Sequence, residues 1–207
     1  MRNLIQKNIR TYDRIVEEYH SNTKKFERPN ILLRKKFLFM LTNGKKILDL
    51  GCGPGRDANF FSKRGCQVLG IDLSKKMIEK ARKVAPRAKF RIMDFTKLRL
   101  NESNFDGVWF EAGLLCVPKK IAGKVLKSIY RFLRKDGIFY VSVKRGRGEG
   151  FEFDKRYSLK KYYAYYSKNE LRNLLKKSKF KIIKEVIPNL KSKYHTHQWM
   201  TFLCKKL

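Results

Sequence analysis

The stretch Lys45 to Arg56, K-K-I-L-D-L-G-C-G-P-G-R, limits the fold of this chain more than any other. Ile47, Leu48 and Leu50 form a short apolar run after Asn43-Gly44, bounded at its far end by glycines. Such a run marks a strand buried on both faces in a parallel sheet rather than an alternating surface strand. Gly51, Gly53 and Gly55 then alternate with Cys52 and Pro54. Glycine opens φ values closed to other residues and lets a ligand approach bare main chain, so a cofactor loop is the natural use of this turn. Asp57 to Arg64 is predicted helical, with Phe60, Phe61 and Arg64 at helical spacing, and its first-turn amides would point towards whatever sits on the glycines. An ordinary tight strand-to-helix turn is the competing reading of the loop taken alone.

The third glycine separates two kinds of cofactor loop. A dinucleotide fingerprint, G-x-G-x-x-G, would place its last glycine at position 56, which is Arg. An acidic residue followed by G-x-G-x-G instead resembles the first motif of class I S-adenosylmethionine-dependent methyltransferases, in which the strand-end Asp49 would face a cation. Downstream, strands and helices alternate as in a doubly wound sheet. Gln67 to Leu73 is predicted as the second strand, ending at Asp72. Ser74 caps a helix over Lys75 to Val84, and Lys89 to Phe95 is the third strand, ending in Met93-Asp94-Phe95. Each carboxylate alone could be a surface charge. Asp49, Asp72 and Asp94 at three successive carboxyl ends of parallel strands point to a ligand in the crevice there.

Phe105 to Phe110 is the fourth strand, and F-D-G-V-W-F-E-A-G-L-L-C-V-P resembles a block of the methyltransferase group labelled type 11 or type 25, with Cys116 where that block has His. No N-P-P-Y, D-P-P-Y or Pro-Cys pair follows, which counts against methylation of base amines or pyrimidine carbon by the usual routes. Ile121 to Leu133 is predicted helical, Arg134 to Gly137 a turn, and Ile138 to Val143 the fifth strand. Lys144 to Gly150 reads as a glycine-rich loop, either touching substrate or merely exposed. Tyr157 to Tyr166 mixes tyrosines with lysines, which suits either stacking on single-stranded RNA or the wall of a small pocket. Ser167 to Glu170 is a capping box opening a helix to Ser178. Phe180 to Ile187 is the sixth strand, Pro188 to Gln198 a polar link with His195 and His197, and Trp199 to Cys204 the last strand. No further ligands accompany the two histidines, so no metal site is expected.

Ahead of the glycine loop, Leu4 to Tyr19 has the i, i+3/i+4 pattern of one amphipathic helix, Ser21 to Asn30 reads as a loop, and Ile31 to Leu41 as a second helix. Tyr12-Asp13 through Tyr19 is similar to a Y-D-x-x-A-x-x-Y segment that folds over the cofactor as a lid in the resembling family. Simple helix packing is the alternative use of these tyrosines.

The 207 residues suit one domain, 1–207, with a helical lid over 1–44 and a Rossmann-like core over 45–207. Four scattered cysteines, Cys52, Cys66, Cys116 and Cys204, suit reduced thiols, and no signal peptide or membrane-length apolar run is evident, so a cytoplasmic location is expected. Fifty Lys and Arg against 18 Asp and Glu give a net charge of +32, which attracts polyanions without implying specificity.

The resemblance implies an α/β Rossmann-like doubly wound sheet of seven strands in the order 3-2-1-4-5-7-6, the last antiparallel, with helices on both faces. It implies S-adenosylmethionine as cofactor and methyl transfer, with a small molecule the favoured acceptor. The alternatives are a tRNA or rRNA methyltransferase and a non-catalytic S-adenosylmethionine-binding protein. Asp49 and the Gly51, Cys52, Gly53, Gly55 loop would hold the methionine part, Asp72 the ribose, and Asp94 and Phe95 the adenine. Tyr19, Arg56, Leu73, Met77 and Glu111 complete the cofactor set. No catalytic base stands out; Glu149, Tyr19 and Tyr165 are candidates. Oligomeric state is not legible.

Overall fold

The computed structural model describes residues 2–24, 27–41, 44–101, 103–187 and 198–207. Three helices come first, α1 (Arg2–Arg14), α2 (Val16–Lys24) and α3 (Glu27–Phe39). The alternating region follows as β1 (Lys46–Leu50), α4 (Arg56–Ser62), β2 (Gln67–Asp72), α5 (Lys75–Val84), β3 (Lys89–Ile92), β4 (Phe105–Phe110), α6 (Lys119–Phe132) and β5 (Leu133–Lys144). A hairpin of β6 (Glu149–Asp154) and β7 (Leu159–Ala164) precedes α7 (Lys168–Lys177), β8 (Phe180–Val186) and β9 (Trp199–Lys206).

The main sheet runs β3-β2-β1-β4-β5-β9-β8, with β1 to β5 parallel and β9 antiparallel to both of its neighbours. This is the expected order, with the two hairpin strands shifting the numbers of the last pair. Successive strand residues point to opposite faces. Leu48, Leu50, Val108 and Phe110 therefore join α6, α7 and the hairpin in one core, while Ile47, Trp109 and Tyr140 join Phe37 of α3, Phe61 of α4 and Ile78 of α5 in the other. Both faces are covered, which explains why β1 and β4 lack polar alternation.

Four local expectations are corrected. The single helix Leu4 to Tyr19 is broken at Ile15, whose N–H bonds to the Tyr12 carbonyl and whose own carbonyl starts α2 by accepting from Tyr19 N. The bend buries both Ile15 and Val16. The expected loop Ser21 to Asn30 is largely helical, because Pro29 falls in the first turn of α3, where a backbone N–H has no intrahelical partner to lose. The expected turn Arg134 to Gly137 is absorbed into β5 as an irregularity, with Asp136 at φ 63° and the register slipping between the Phe105 and Gly107 pairings. The glycine-rich stretch stays a loop only over residues 145–148; Glu149 and Gly150 open a hairpin, paired from Glu149 with Ala164 to Asp154 with Leu159, whose second strand carries Tyr162 and Tyr163. His195 and His197, with residues 188–197, lie outside the described residues.

Candidate active site

Parallel pairing aligns the strand ends: Asp49 lies beside Gly70 and Trp109, and Asp72 beside Ile92. Beyond them opens a cavity of about 590 Å³, roofed by α1, α2 and the hairpin. Gly51 (φ 64°) and Gly53 (φ 51°) border it in the left-handed region that only glycine enters without strain. Asp72 ties this loop to β2, accepting from Gly53 N at 3.0 Å through one oxygen and from Ser74 N at 2.9 Å through the other. Asp94 accepts from Thr96 N at 2.8 Å and Thr96 Oγ1 at 2.6 Å, both through Oδ1, and caps a short turn at Phe95. Glu111, just past β4, accepts from the Tyr140 hydroxyl at 2.5 Å.

Of the residues expected to hold the cofactor, Tyr19, Gly51, Cys52, Gly53, Arg56, Asp72, Leu73, Met77, Asp94, Phe95 and Glu111 line this cavity; Asp49 and Gly55 do not. A Cβ at Gly55 would come within 2.9 Å of Ala81 Cα, so this glycine lets α4 and α5 close on each other rather than clearing space for a ligand. Asp49 lies 1% exposed behind the loop, with Oδ2 free of any hydrogen bond among the described residues. Burial and the neighbouring Asp57 push its carboxyl well above the usual range. Asp57 is pushed up by burial too, but Arg56 and Arg34 outweigh that and hold it ionised.

Neither Glu149 nor Tyr165 reaches the cavity. Glu149 is exposed and accepts from Lys119 N at the start of α6 and from Tyr162 Oη, while Tyr165 donates to Glu152. Tyr19 does line the cavity, edge-on to Tyr12 at 5.7 Å. Burial pushes its phenol far up, so at neutral pH it is a hydrogen-bond donor and not a base.

The opposite wall was largely missed. Lys144, Arg156, Tyr157, Lys161 and Tyr163 line it, with Asn8 and Tyr12 of α1 and Cys116. Asp154 holds it together, accepting from both Nε and Nη2 of Arg156, from Lys161 Nζ at 3.2 Å and from Tyr163 Oη at 3.1 Å. Period-two spacing of Lys161 and Tyr163, read as a strand, would have found this face.

Residues 47–137 match the family model described as a methyltransferase domain. The matched stretch runs from β1 into β5, under half of the chain. A malonyl-[acyl-carrier protein] O-methyltransferase of Enterobacter lignolyticus is 31% identical over 94 residues, covering 45% of this chain and 36% of that protein. The match thus spans well under half the length of that curated relative. Among solved structures, a 1,6-didemethyltoxoflavin-N1-methyltransferase of Burkholderia thailandensis, with bound 1,6-didemethyltoxoflavin and S-adenosylhomocysteine, superposes with a TM-score of 0.71 at 22% identity, covering 94% of this chain and 86% of that one. An S-adenosylmethionine-dependent methyltransferase of Methanosarcina mazei gives 0.71 at 21% identity, covering 80% and 94%. At such identities the superpositions establish the fold alone, the doubly wound seven-stranded sheet described above.

Proposed function

We propose that the cavity binds S-adenosylmethionine and that the protein transfers its methyl group to a small molecule. The observation that carries this reading is the gathering of Asp72, Asp94, Glu111 and the Gly51 to Gly53 main chain around one cavity, with Asp49 and its unpartnered oxygen behind the loop. Carboxylates drawn partly out of water call for cations or hydroxyl donors, and a ligand with a sulfonium, an ammonium, a ribose and an adenine offers both. In this reading Asp72 takes the ribose hydroxyls, and Asp94, through an Oδ2 with no hydrogen bond among the described residues, takes the adenine amine beside Phe95. Glu111 and Arg56 face the charged amino-acid end. Leu73 and Met77 supply apolar wall.

Bound there, the cofactor supplies an activated methyl on a sulfonium sulfur. The chain's contribution is to position the acceptor and keep water out. Tyr157 and Tyr163, both buried, and the half-buried Tyr12 and Tyr19 close the roof with their rings. A small acceptor suits a cavity roofed by helices and a hairpin, and the curated relative above acts on a carrier-bound malonyl group.

Titration calorimetry tests the reading: S-adenosylmethionine or S-adenosylhomocysteine binds and NAD does not. Asp72→Ala should weaken binding by roughly 1.5–3 kcal/mol, the worth of a charged hydrogen-bond partner. Unchanged affinity removes the ribose assignment. Binding without transfer to any component of a metabolite mixture, followed with labelled methyl donor, leaves a cofactor-binding protein that is not an enzyme.

A further inference from the structure

The two halves of the cavity carry opposite charge. On the glycine-loop side the lining carboxylates Asp57, Asp72, Asp94 and Glu111 outnumber the guanidinium of Arg56. The facing wall presents Lys144, Arg156 and Lys161, and one buried carboxylate, Asp154, pairs with Arg156 and Lys161. Arg156 commits its Nε and Nη2 to that carboxylate, and Lys161 takes what remains. Lys144 is left over. It is 7% exposed, lines the cavity, and has no ion pair or hydrogen-bond acceptor in contact with Nζ among the described residues; the Tyr163 ring lies 3.9 Å away, and Asp154 and Glu152 act on it only at a distance, against the charge of Arg156. Burial and the Arg156 charge disfavour this ammonium and no carboxylate touches it, so an anion that arrives with a ligand would complete this wall.

We propose that Lys144, with Lys161 behind it, binds a carboxylate of the acceptor, and that this carboxylate is the group methylated. The proposal rests on the cofactor reading above and names its substrate class, a small carboxylic acid. A cationic cofactor matches the acidic half and an anionic acceptor the basic half. The chemistry agrees. Tyr12, Tyr19, Tyr157, Tyr163 and Cys116, acidic groups beside the acceptor space, are all held protonated by burial and take no proton from a substrate. Burial pushes Lys161 down, against the pull of Asp154, only to about 8, so it stays mainly charged near neutrality. A carboxylic acid, with a pKa of about 4, is already ionised there and needs no base. An oxygen lone pair of the carboxylate forms the new O–CH3 bond while the S–CH3 electron pair passes to sulfur. A methyl ester and a neutral thioether result, and no proton moves.

The test uses protein loaded with S-adenosylhomocysteine, titrated with malonate, glutarate, inorganic phosphate and the neutral glutaramide, in wild type, Lys144→Met and Lys144→Arg. The dicarboxylates should bind at least about tenfold more tightly than glutaramide, lose at least about tenfold in Lys144→Met, and recover most of it in Lys144→Arg. Affinity for S-adenosylhomocysteine should be the same in all three. Dicarboxylate binding equal to glutaramide, or untouched by Lys144→Met, overturns the proposal; preference for phosphate overturns it in favour of a phosphorylated acceptor. Failure of wild type to bind S-adenosylhomocysteine sinks the cofactor reading instead, and the same anion titrations on the free protein still decide the wall. In turnover with an acidic metabolite fraction, labelled methyl should leave the product as methanol under mild alkali. Alkali-stable label, on nitrogen or sulfur, overturns the proposal as well.

Discussion

Lys161 is 1% exposed and carries its charge inside the molecule on the strength of Asp154, with the rings of Tyr157 at 3.7 Å and Tyr12 at 5.3 Å. Burial alone would push the Asp154 carboxyl up, but the Arg156 hydrogen bonds and the Lys161 charge outweigh it and hold it well below the usual carboxylate range. Replacing Asp154 by Asn removes the counter-charge and leaves the ammonium buried, so stability in urea should fall by roughly 3 kcal/mol. Lys161→Met in the same background should restore part of the loss. If Asp154→Asn costs less than about 1 kcal/mol, water in the cavity already solvates Lys161 and the pair is not structural. The sign of the pH effect follows from the depressed carboxyl. Its contribution is fully present above the unfolded value of about 3.9 and is lost as pH falls from there towards the folded value. The gap between wild type and Asp154→Asn should therefore hold from pH 7 to about pH 4 and narrow only below. None of this was legible residue by residue: Asp154, Arg156 and Lys161 are three more charges in a chain rich in them, and only cross-strand pairing makes them one cluster.

At the scale of elements, the strand-loop-helix unit from Lys46 to Ser62 uses its glycines for two different purposes, and substitution separates them. Gly55→Ala combines φ 84° with a Cβ 2.9 Å from the Ala81 backbone, so α4 and α5 must part. Left-handed strain costs about 1–2 kcal/mol and the overpacking a further 1–3 kcal/mol. Gly53→Ala has the strain without the clash, since its nearest neighbour is Tyr19 Cε1 at 3.9 Å on the cavity side. Thermal unfolding should show Gly55→Ala the more damaged of the two. Calorimetry should show Gly53→Ala losing more S-adenosylhomocysteine affinity relative to its loss of stability, and the reverse ranking would mean the loop assignments are exchanged. The parallel strands were readable because β1 and β4 are largely apolar runs bounded by turn residues, while the order of the sheet came with the family resemblance. The hairpin was not, since Glu149–Asp154 offers only Phe151 and Phe153 as apolar residues, and both are exposed, 42% and 58%. The bend at Ile15 was equally silent, because the apolar spacing runs through it unbroken.

For the whole molecule, a net charge of +32 makes contact with nucleic acid unavoidable at low salt, so what matters is the kind of contact. Binding of single-stranded RNA with any preference would need rings on which bases stack. The run that suggested such rings supplies none. Tyr157, Tyr162, Tyr163, Tyr165 and Tyr166 are all buried, committed to the cavity roof, the hairpin or the core. Phosphate neutralisation by surface lysines is what remains, and counterion release makes it fall steeply with salt. Fluorescence anisotropy with two unrelated oligoribonucleotides should give equal affinities at low salt, a linear fall of log affinity with log salt, and little binding left near 150 mM. Saturating S-adenosylhomocysteine should not change either curve, because surface phosphate contacts and the roofed cavity share no residues that the ligand orders. Binding that persists at that salt with a preference between the two RNAs, and that tightens when the cofactor product is added, would instead tie RNA to the cavity and replace the small acceptor by a nucleotide.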